Sequence, residues 1–203
     1  MAGKSLFCLR GNDAVIRAFY NVCQHRAQEL VFGEGKVRVV VFPYHAWTYH
    51  LDGQFRSGPN LKVVPGLDMS KVCLTQVRVE DFQGFLFVNL DPKATPIDKW
   101  FPGARKELGE FVPNIFELEP MHWVQVPERC NWKLSVENYS ECYHCRLNHK
   151  TFATGVINAD TYDIRPQGRC LRHTTECQNL DRTSYPVDPD ANPAGGKYSF
   201  WFL

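Results

Sequence analysis

The chain has 203 residues, with 23 Lys and Arg against 22 Asp and Glu, which gives a net charge of +1 at pH 7. A chain of this length can bury a sizeable core without help from disulfides. Its charges nearly cancel and are spread along the chain, which argues against nucleic acid and anionic membrane as partners.

The sequence shows neither a membrane span nor a secretory signal. No apolar run approaches the roughly 18 residues that a span needs, and the first residues lack the order of charged, apolar and small residues of a signal peptide. We therefore expect a cytoplasmic protein. Several cysteines stand close to histidines, which favours thiolate or metal chemistry in a reducing compartment, with a disulfide scaffold as the alternative. The cysteines are Cys8, Cys23, Cys73, Cys130, Cys142, Cys145, Cys170 and Cys177.

The first ninety residues have the pattern of short strands separated by turns. Runs of β-branched and aromatic residues are bounded by Gly, Asn and Asp. The predicted strands are Ser5–Arg10, Ala14–Asn21, Lys36–Val41, Thr75–Val79 and Gly84–Asn89. This pattern predicts a small antiparallel β domain.

Two turns of this region carry residues that bind metals. Cys23 and His25 follow the second strand, and His45 follows the third, in the segment that begins at Phe42. The spacing is almost that of a Rieske [2Fe–2S] site, in which two cysteines hold one iron and two histidines hold the other. Phe42 stands where the second cysteine is expected, and its ring has no lone pair for iron. Neither of the nearby cysteines outside these turns has the required spacing to replace it.

The composition changes after Asp91, where a Pro-rich connector leads into a helical pattern. We place a domain boundary near residues 93–96. The predicted elements that follow are a helix at Pro96–Phe111, a strand at Glu119–Glu128, the helix that carries Glu137–His149, strands at Thr161–Ile164 and Arg169–Thr175, a loop at Tyr185–Gly196 and a strand at 197–203.

The segment Glu137–His149 concentrates acids, cysteines and histidines within thirteen positions. On a continuous helix, Glu137, Glu141 and His144 share one face. His149 would lie about 140° away from His144, so both imidazoles reach one metal only if the helix bulges or ends between them. An imidazole pair with a carboxylate and open positions suits non-haem iron(II). The alternative is a polar helix end with incidental histidines.

Other interpretations remain open for the same residues. Cys142 and Cys145 are spaced as half of a zinc site, although the second cysteine pair of a structural site is missing. Several aromatic residues could form a cage for a trimethylammonium group, but aromatic residues more often belong to the core. His50, His122 and His173 lack a partner at ligand spacing and are interpreted as surface or hydrogen-bonded histidines.

Taken together, these segments resemble the oxygenase (alpha) subunits of Rieske-type non-haem iron oxygenases, over essentially the whole chain. The segments that carry the resemblance are Asn21-Val-Cys23-Gln-His25-Arg26, Phe42-Pro-Tyr-His45-Ala-Trp-Thr-Tyr, Gly84-Phe-Leu-Phe-Val-Asn-Leu-Asp-Pro92, Asn131-Trp-Lys133 and Glu137-Asn-Tyr-Ser-Glu141-Cys-Tyr-His144 with His149. The order of these segments along the chain is more specific than any one of them.

The resemblance implies a role for each candidate residue. Cys23, His25 and His45 correspond to [2Fe–2S] ligands, with Phe42 at the expected second cysteine. His144 and His149 correspond to the metal ligands of the family's mononuclear iron. Glu141 corresponds to the carboxylate that carries electrons between the two centres, where most members have aspartate. Glutamate in this context is similar to the branch that oxidises quaternary ammonium compounds, such as the carnitine and glycine betaine monooxygenases.

The family further implies an α+β fold, with a Rieske-like antiparallel β domain at 1–94 and part of a helix-grip catalytic domain at 95–203. It implies a [2Fe–2S] cluster, mononuclear Fe(II), and electrons from NAD(P)H through a separate flavin and iron–sulfur reductase. The expected partners are that reductase, dioxygen, a small organic substrate and two further copies in a homotrimer. The expected activity is that of a monooxygenase or dioxygenase on carnitine or betaine.

Two departures from the family pattern leave alternatives open. The family's third iron ligand, an acid, lies far beyond the second histidine, whereas this chain has 54 residues after His149. Asp160 and Asp163 are acids within reach, but both lie close to His149 in predicted strand context. We expect the chain to be a fragment. The alternatives are an inactive or fragmentary paralogue that serves as an assembly or binding subunit, an aromatic ring-hydroxylating oxygenase, and a zinc-binding module.

Overall fold

The computed structural model describes residues 3–61, 65–122, 124–178 and 197–202. Two compact units divide the chain: residues 1–81 with 86–94, and residues 82–85 with 95–203. Antiparallel sheets and short helices make up these units, so the expected α+β class is confirmed. The assignment of 1–94 and 95–203 as functional domains stays a prediction. Among the described residues, no helix is long and apolar enough to cross a membrane.

Seven short strands build the first unit and its link to the second. They are β1 (Leu6–Arg10), β2 (Ile16–Tyr20), β3 (Val40–Val41), β4 (Thr48–Tyr49), β5 (Phe55–Ser57), β6 (Gln76–Phe82) and β7 (Phe85–Asn89). One sheet has the order β1-β2-β6-β7, and the other has the order β3-β4-β5. Strands β1 and β2 are antiparallel, with Leu6 opposite Tyr20. Such hairpins present alternate side chains to the core.

The predicted strand Lys36–Val41 is reduced to Val40–Val41. Val40 is buried, whereas residues 32–38 are exposed and Val37 therefore has no core to pack against. The alternation of Val with Lys and Arg at 36–41 suggested a longer strand than the structure contains.

The core of the first unit lies beside the two turns singled out in the sequence. Its largest fully buried side chains include Phe19, Phe42 and Tyr49, and the Cys23 side chain lies in the same cluster. The remaining buried members are Leu30, Val40, Trp47, Leu51 and Leu74. Burial of several aromatic rings supplies much of the free energy of folding of a unit this small.

Helices and one three-stranded sheet build the second unit. The elements are α1 (Ile97–Trp100), α2 (Ala104–Phe111), α3 (Trp132–Ser140), α4 (Cys145–Asn148), α5 (Lys150–Gly155), β8 (Asp163–Gln167), β9 (Cys170–Glu176) and β10 (Lys197–Phe202). The sheet has the order β10-β9-β8, and both pairs are antiparallel.

Three predictions for this unit need correction. The helix at Pro96–Phe111 is two helices, because Pro102 and Gly103, at φ 90°, interrupt it. The strand at Glu119–Glu128 does not form in residues 119–122 and 124–128, and Met121 there is 98% exposed. The strand expected from Thr161 begins only at 163, after a 3-10 turn. The predicted loop at 185–196 lies outside the described residues.

Candidate metal sites

The two metal-binding turns of the first unit have the same backbone form. In each, the N–H of the first residue donates to the carbonyl five residues later at 2.8 Å, and the N–H four residues later donates back to the first carbonyl at 2.9 Å. The first residue is Cys23 in one turn and Phe42 in the other. The fourth residue after it is alanine in the left-handed region in both, Ala27 at φ 58° and Ala46 at φ 55°. Phe42 thus holds the backbone position that corresponds to Cys23.

These turns bring His25 and His45 together. Their ring centroids are 4.5 Å apart at an interplanar angle of 88°. A metal–nitrogen bond of about 2.0–2.1 Å places an imidazole centroid about 3.2 Å from the ion, so two rings on one ion have centroids about 4.5–5.3 Å apart. Trp47 stacks on His25 at 4.8 Å and 22° and holds its ring plane. The ring separation is compatible with a shared ion, and ligation by this pair stays a prediction.

His45 carries a buried nitrogen atom that lacks a hydrogen bond. Its Nδ1 is inaccessible to solvent and finds no donor or acceptor within the described part of the chain. Burial, followed by the positive charges that His25 and Arg26 can carry, lowers the pKa of His45. A buried imidazole nitrogen without a partner is costly unless a proton donor or a metal satisfies it.

The sulfur side of the site is closed. Phe42 is 1% exposed, and its ring lies 5.6 Å from that of His45. Cys23 is also 1% exposed, and its Sγ lies 3.5 Å from the Tyr49 hydroxyl, which accepts the Gln24 N–H at 3.3 Å. Burial raises the pKa of Tyr49. The residues fit a Rieske cluster at three of the four ligand positions and do not fit it at Phe42.

Asn21 fixes the turn that carries Cys23, a role that the sequence did not reveal. It is buried, and its Oδ1 accepts the N–H groups of Leu30 and Val31 at 2.9 and 3.0 Å. Its Nδ2 donates to the Val31 carbonyl at 2.8 Å and to the Ser5 hydroxyl at 3.2 Å. The signal in the sequence was an Asn directly after a strand and two residues before a cysteine.

The second site lies where a helix breaks twice. Helix α3 ends at Ser140, Glu141 is extended at φ −95° and ψ 107°, and a 3-10 turn reaches His144. Helix α4 follows, and His149, at φ −114° and ψ 50°, separates it from α5. The interpretation of Glu137, Glu141 and His144 as one face of a continuous helix is therefore wrong. Helix α4 ends at Asn148, between the two histidines, which is the break that both imidazoles need in order to reach one metal.

The break brings the two imidazoles together. The ring centroids of His144 and His149 are 5.3 Å apart at 72°, within the range that a shared ion requires. Oε1 of Glu141 lies 3.5 Å from His144 Nδ1. That contact is too long and poorly aligned to count as a hydrogen bond, so Nδ1 remains buried and unsatisfied.

Other candidate ligands are engaged elsewhere. Asp160 pairs with Arg146, and Asp163 pairs with Arg165 at 2.8 Å. Cys145 is disulfide-bonded, so it is not available as a zinc thiolate. Within the residues that the structure describes, no three His, Cys, Asp or Glu side chains are grouped to hold a metal.

His173 is a buried, hydrogen-bonded histidine, which is one of the two interpretations that the sequence allowed. It is 0% exposed, and its Nδ1 lies 3.3 Å from the Tyr162 hydroxyl, which excludes the surface interpretation. The ring of Tyr139, which stands two residues before Glu141 in the chain, lies 5.8 Å from the ring of His173. Burial lowers the pKa of His173 and raises that of Tyr139 to about 12.

Comparison with known proteins bears on both sites. Residues 1–68 match the Rieske [2Fe-2S] domain, and residues 115–194 match the ring hydroxylating alpha subunit (catalytic domain). The carnitine monooxygenase oxygenase subunit of Escherichia coli (strain K12) is 41% identical over 155 residues, which are 76% of this chain and 41% of that protein. The glycine betaine monooxygenase oxygenase subunit of Chromohalobacter salexigens is 34% identical over 160 residues, 78% of this chain and 35% of that one.

Solved structures of Rieske oxygenases are also similar to this chain. The quaternary ammonium Rieske monooxygenase CntA in complex with its substrate L-carnitine superposes with a TM-score of 0.78 at 35% identity, over 85% of this chain and 49% of that one. Naphthalene 1,2-dioxygenase, as an F352V mutant bound to phenanthrene, superposes with a TM-score of 0.68 at 25% identity. The superposition covers 95% of this chain and 48% of that one. The chain thus spans less than half the length of these proteins.

Proposed function

We propose that this chain forms part of an oxygenase component that oxidises a small quaternary ammonium compound, such as carnitine or glycine betaine. The reason is that the chain belongs to the Rieske-type non-haem iron oxygenase alpha subunits. The matches to both families and to the carnitine and betaine enzymes confirm the resemblance found in the sequence. Since the chain spans 41% of the length of its carnitine relative, activity, substrate and partners are proposals.

The pairing of His144 with His149 carries this proposal. The two rings lie 5.3 Å apart inside the stretch that matches the catalytic-domain family. Iron(II) held there would supply the activation of dioxygen at open coordination positions. Oε1 of Glu141 would accept a hydrogen bond from the Nδ1–H of His144, which leaves Nε2 of that ring free as the ligand atom. This carboxylate would therefore fix the tautomer and orientation of His144.

The Rieske-like unit lacks one of the four ligands that a cluster needs. The two family matches imply a [2Fe–2S] cluster and a mononuclear iron. Phe42 offers no ligand atom to the cluster and fills the place of a sulfur within the core. We therefore assign no electron-transfer step to this unit, and Glu141 is proposed to orient His144 rather than to carry electrons from a cluster in this chain.

The partners proposed follow from the same family. They are a separate reductase that takes electrons from NAD(P)H, dioxygen, and further copies of the chain in a homotrimer. A cytoplasmic location is proposed with them. The relatives whose names specify quaternary ammonium substrates favour that substrate class over aromatic rings.

Turnover tests this function. The protein is supplied with iron(II), NADH, a carnitine monooxygenase reductase and oxygen, and loss of carnitine, glycine betaine, choline or naphthalene is followed by mass spectrometry. We expect carnitine or betaine to be consumed, far faster by Phe42→Cys than by the unaltered chain, and not by Phe42→Cys with His144→Ala. Consumption of naphthalene alone would overturn the substrate class. No turnover in any variant would overturn the oxygenase proposal.

A second role is favoured by the burial of Phe42 in the core. A chain that has lost a cluster ligand and packs a phenyl ring in its place fits an assembly or binding subunit without turnover of its own. The same experiment separates the two roles. Turnover that appears only after Phe42→Cys assigns the assembly role to the unaltered chain, whereas measurable turnover by the unaltered chain assigns it the oxygenase role.

A further inference from the structure

The first unit retains one half of a metal site in good order. His25 and His45 come from turns whose backbone hydrogen bonds are complete, at 2.8 and 2.9 Å in each turn. Neither turn therefore needs a metal to hold its form. A metal would instead satisfy the buried Nδ1 of His45, which has no hydrogen-bond partner among the described residues.

The other half of the site is no longer available to a metal. The Phe42 ring belongs to the core cluster, and the Cys23 thiol is buried against Tyr49. A cluster needs two sulfur ligands on one iron, and this side offers at most one. The histidine side does not depend on the sulfur side, since the two rings already lie 4.5 Å apart.

We propose that His25 and His45 hold a single late first-row divalent metal ion, with water at its remaining positions, in place of a two-iron cluster. The ring separation of 4.5 Å corresponds to a nitrogen–metal–nitrogen angle of about 90° for bonds of about 2.0–2.1 Å. Imidazole with water suits Fe²⁺, Ni²⁺, Cu²⁺ and Zn²⁺, and softer thiolate chemistry is not required.

The proposed site is open to solvent on the His25 side and closed around Nδ1 of His45. His25 is exposed, so solvent reaches one side of the site, while Trp47 stacks on its ring at 4.8 Å and restricts its rotation. The Tyr44 ring packs edge-on against His45, with ring centroids 4.1 Å apart. Restricting both rings before the ion arrives lowers the entropy lost on binding.

Cobalt(II) is a suitable probe because its absorption separates nitrogen from thiolate ligands. The test uses the full chain with His144→Ala and His149→Ala, which removes the other imidazole pair, under anaerobic conditions. We expect one Co²⁺ per chain and no sulfur-to-metal charge-transfer band. Adding His25→Gln or His45→Gln should weaken binding at least about tenfold. The matched control, His50→Gln, changes an exposed histidine nearby and should leave binding unchanged.

Each outcome decides the proposal independently of turnover. Circular dichroism melting establishes whether each variant folds, which is needed because His25 stacks on Trp47 of the core. The proposal is overturned by a chain that binds no Co²⁺, by binding that survives His25→Gln and His45→Gln, or by a strong thiolate band that assigns Cys23 as a ligand. It is equally overturned if the unaltered chain carries two irons and two sulfides.

Discussion

Cys23 and Phe42 occupy corresponding positions in two turns of one backbone form, each with an N–H that donates at 2.8 Å to the carbonyl five residues later. The turn therefore does not require the residue that would bind a metal. The fold accepts either a sulfur or a phenyl ring at this position, and in Phe42 the ring packs in the core with Cys23 and Tyr49.

Phe42→Ala should destabilise the first unit. Because the ring is 1% exposed, its removal leaves a cavity among aromatic neighbours, at a cost of about 3–5 kcal/mol in the free energy of unfolding. Urea unfolding measures it. Phe32→Ala, at a position 73% exposed, is the matched control and should change stability by less than about 0.5 kcal/mol. Equal effects of the two changes would show that Phe42 is not a core residue.

Asn21→Ala should also destabilise the unit. The change leaves the N–H groups of Leu30 and Val31 and the Val31 carbonyl without their side-chain partner. Buried groups left in this state cost about 1–3 kcal/mol each, so we expect a loss of at least about 2 kcal/mol by chemical denaturation. Gln24→Ala, at an exposed side chain, serves as the control. A stability loss no larger than that of Gln24→Ala would contradict the role assigned to Asn21.

Iron binding in the second unit should depend on His149 and, less strongly, on Glu141. His149→Ala removes one of two imidazoles and should abolish binding of Fe(II) at this site under anaerobic titration. Glu141→Gln leaves both rings and should weaken binding about 10–100-fold, because His144 loses the carboxylate that orients it. Glu137→Gln, on the exposed side of α3, should have no effect. Undiminished binding by His149→Ala would argue that the two rings do not share an ion.

Acid should weaken the second unit through His173. Burial lowers the pKa of this histidine in the folded protein, so the unfolded chain binds a proton at a higher pH than the folded one does. Stability is then complete above the unfolded pKa, about 6.5, and falls as the pH drops below it toward the folded pKa. Thermal melting at pH 7.5 and pH 5.5 measures the effect. His173→Gln should flatten this dependence, and an unchanged slope would exclude His173 as its source.

The sequence indicated the family, the α+β class and most of the strands, because these rest on local patterns. β-branched and aromatic runs located β1, β2, β6 and β7 to within a few residues. The strand expected at 119–128 rested on the same pattern, yet Met121 and Val126 are exposed and find no sheet in the described part of the chain. Periodicity shows that a segment can pair but does not supply its partner.

Some features of the candidate sites were also predictable from the sequence, and others were not. Ligand types and spacing predicted His25, His45, His144 and His149 as ligands, and the structure brings the two rings of each pair close together. Their role as ligands stays a prediction. The break of α3 at Ser140 was not predictable, since Glu137–Ser140 continues a normal helical pattern. The roles of Asn21 and His173 depend on contacts between distant parts of the chain, which the spacing of residues does not encode.

The most direct measurement is the content of iron and acid-labile sulfide, per chain, in anaerobically purified unaltered protein, Phe42→Cys and Phe42→Ala. We expect no sulfide in the unaltered chain or in Phe42→Ala. In Phe42→Cys we expect two sulfides and the two irons of a cluster, with the visible and electron-resonance spectra of a Rieske centre. Two sulfides in the unaltered chain, or none in a folded Phe42→Cys protein, would contradict these expectations.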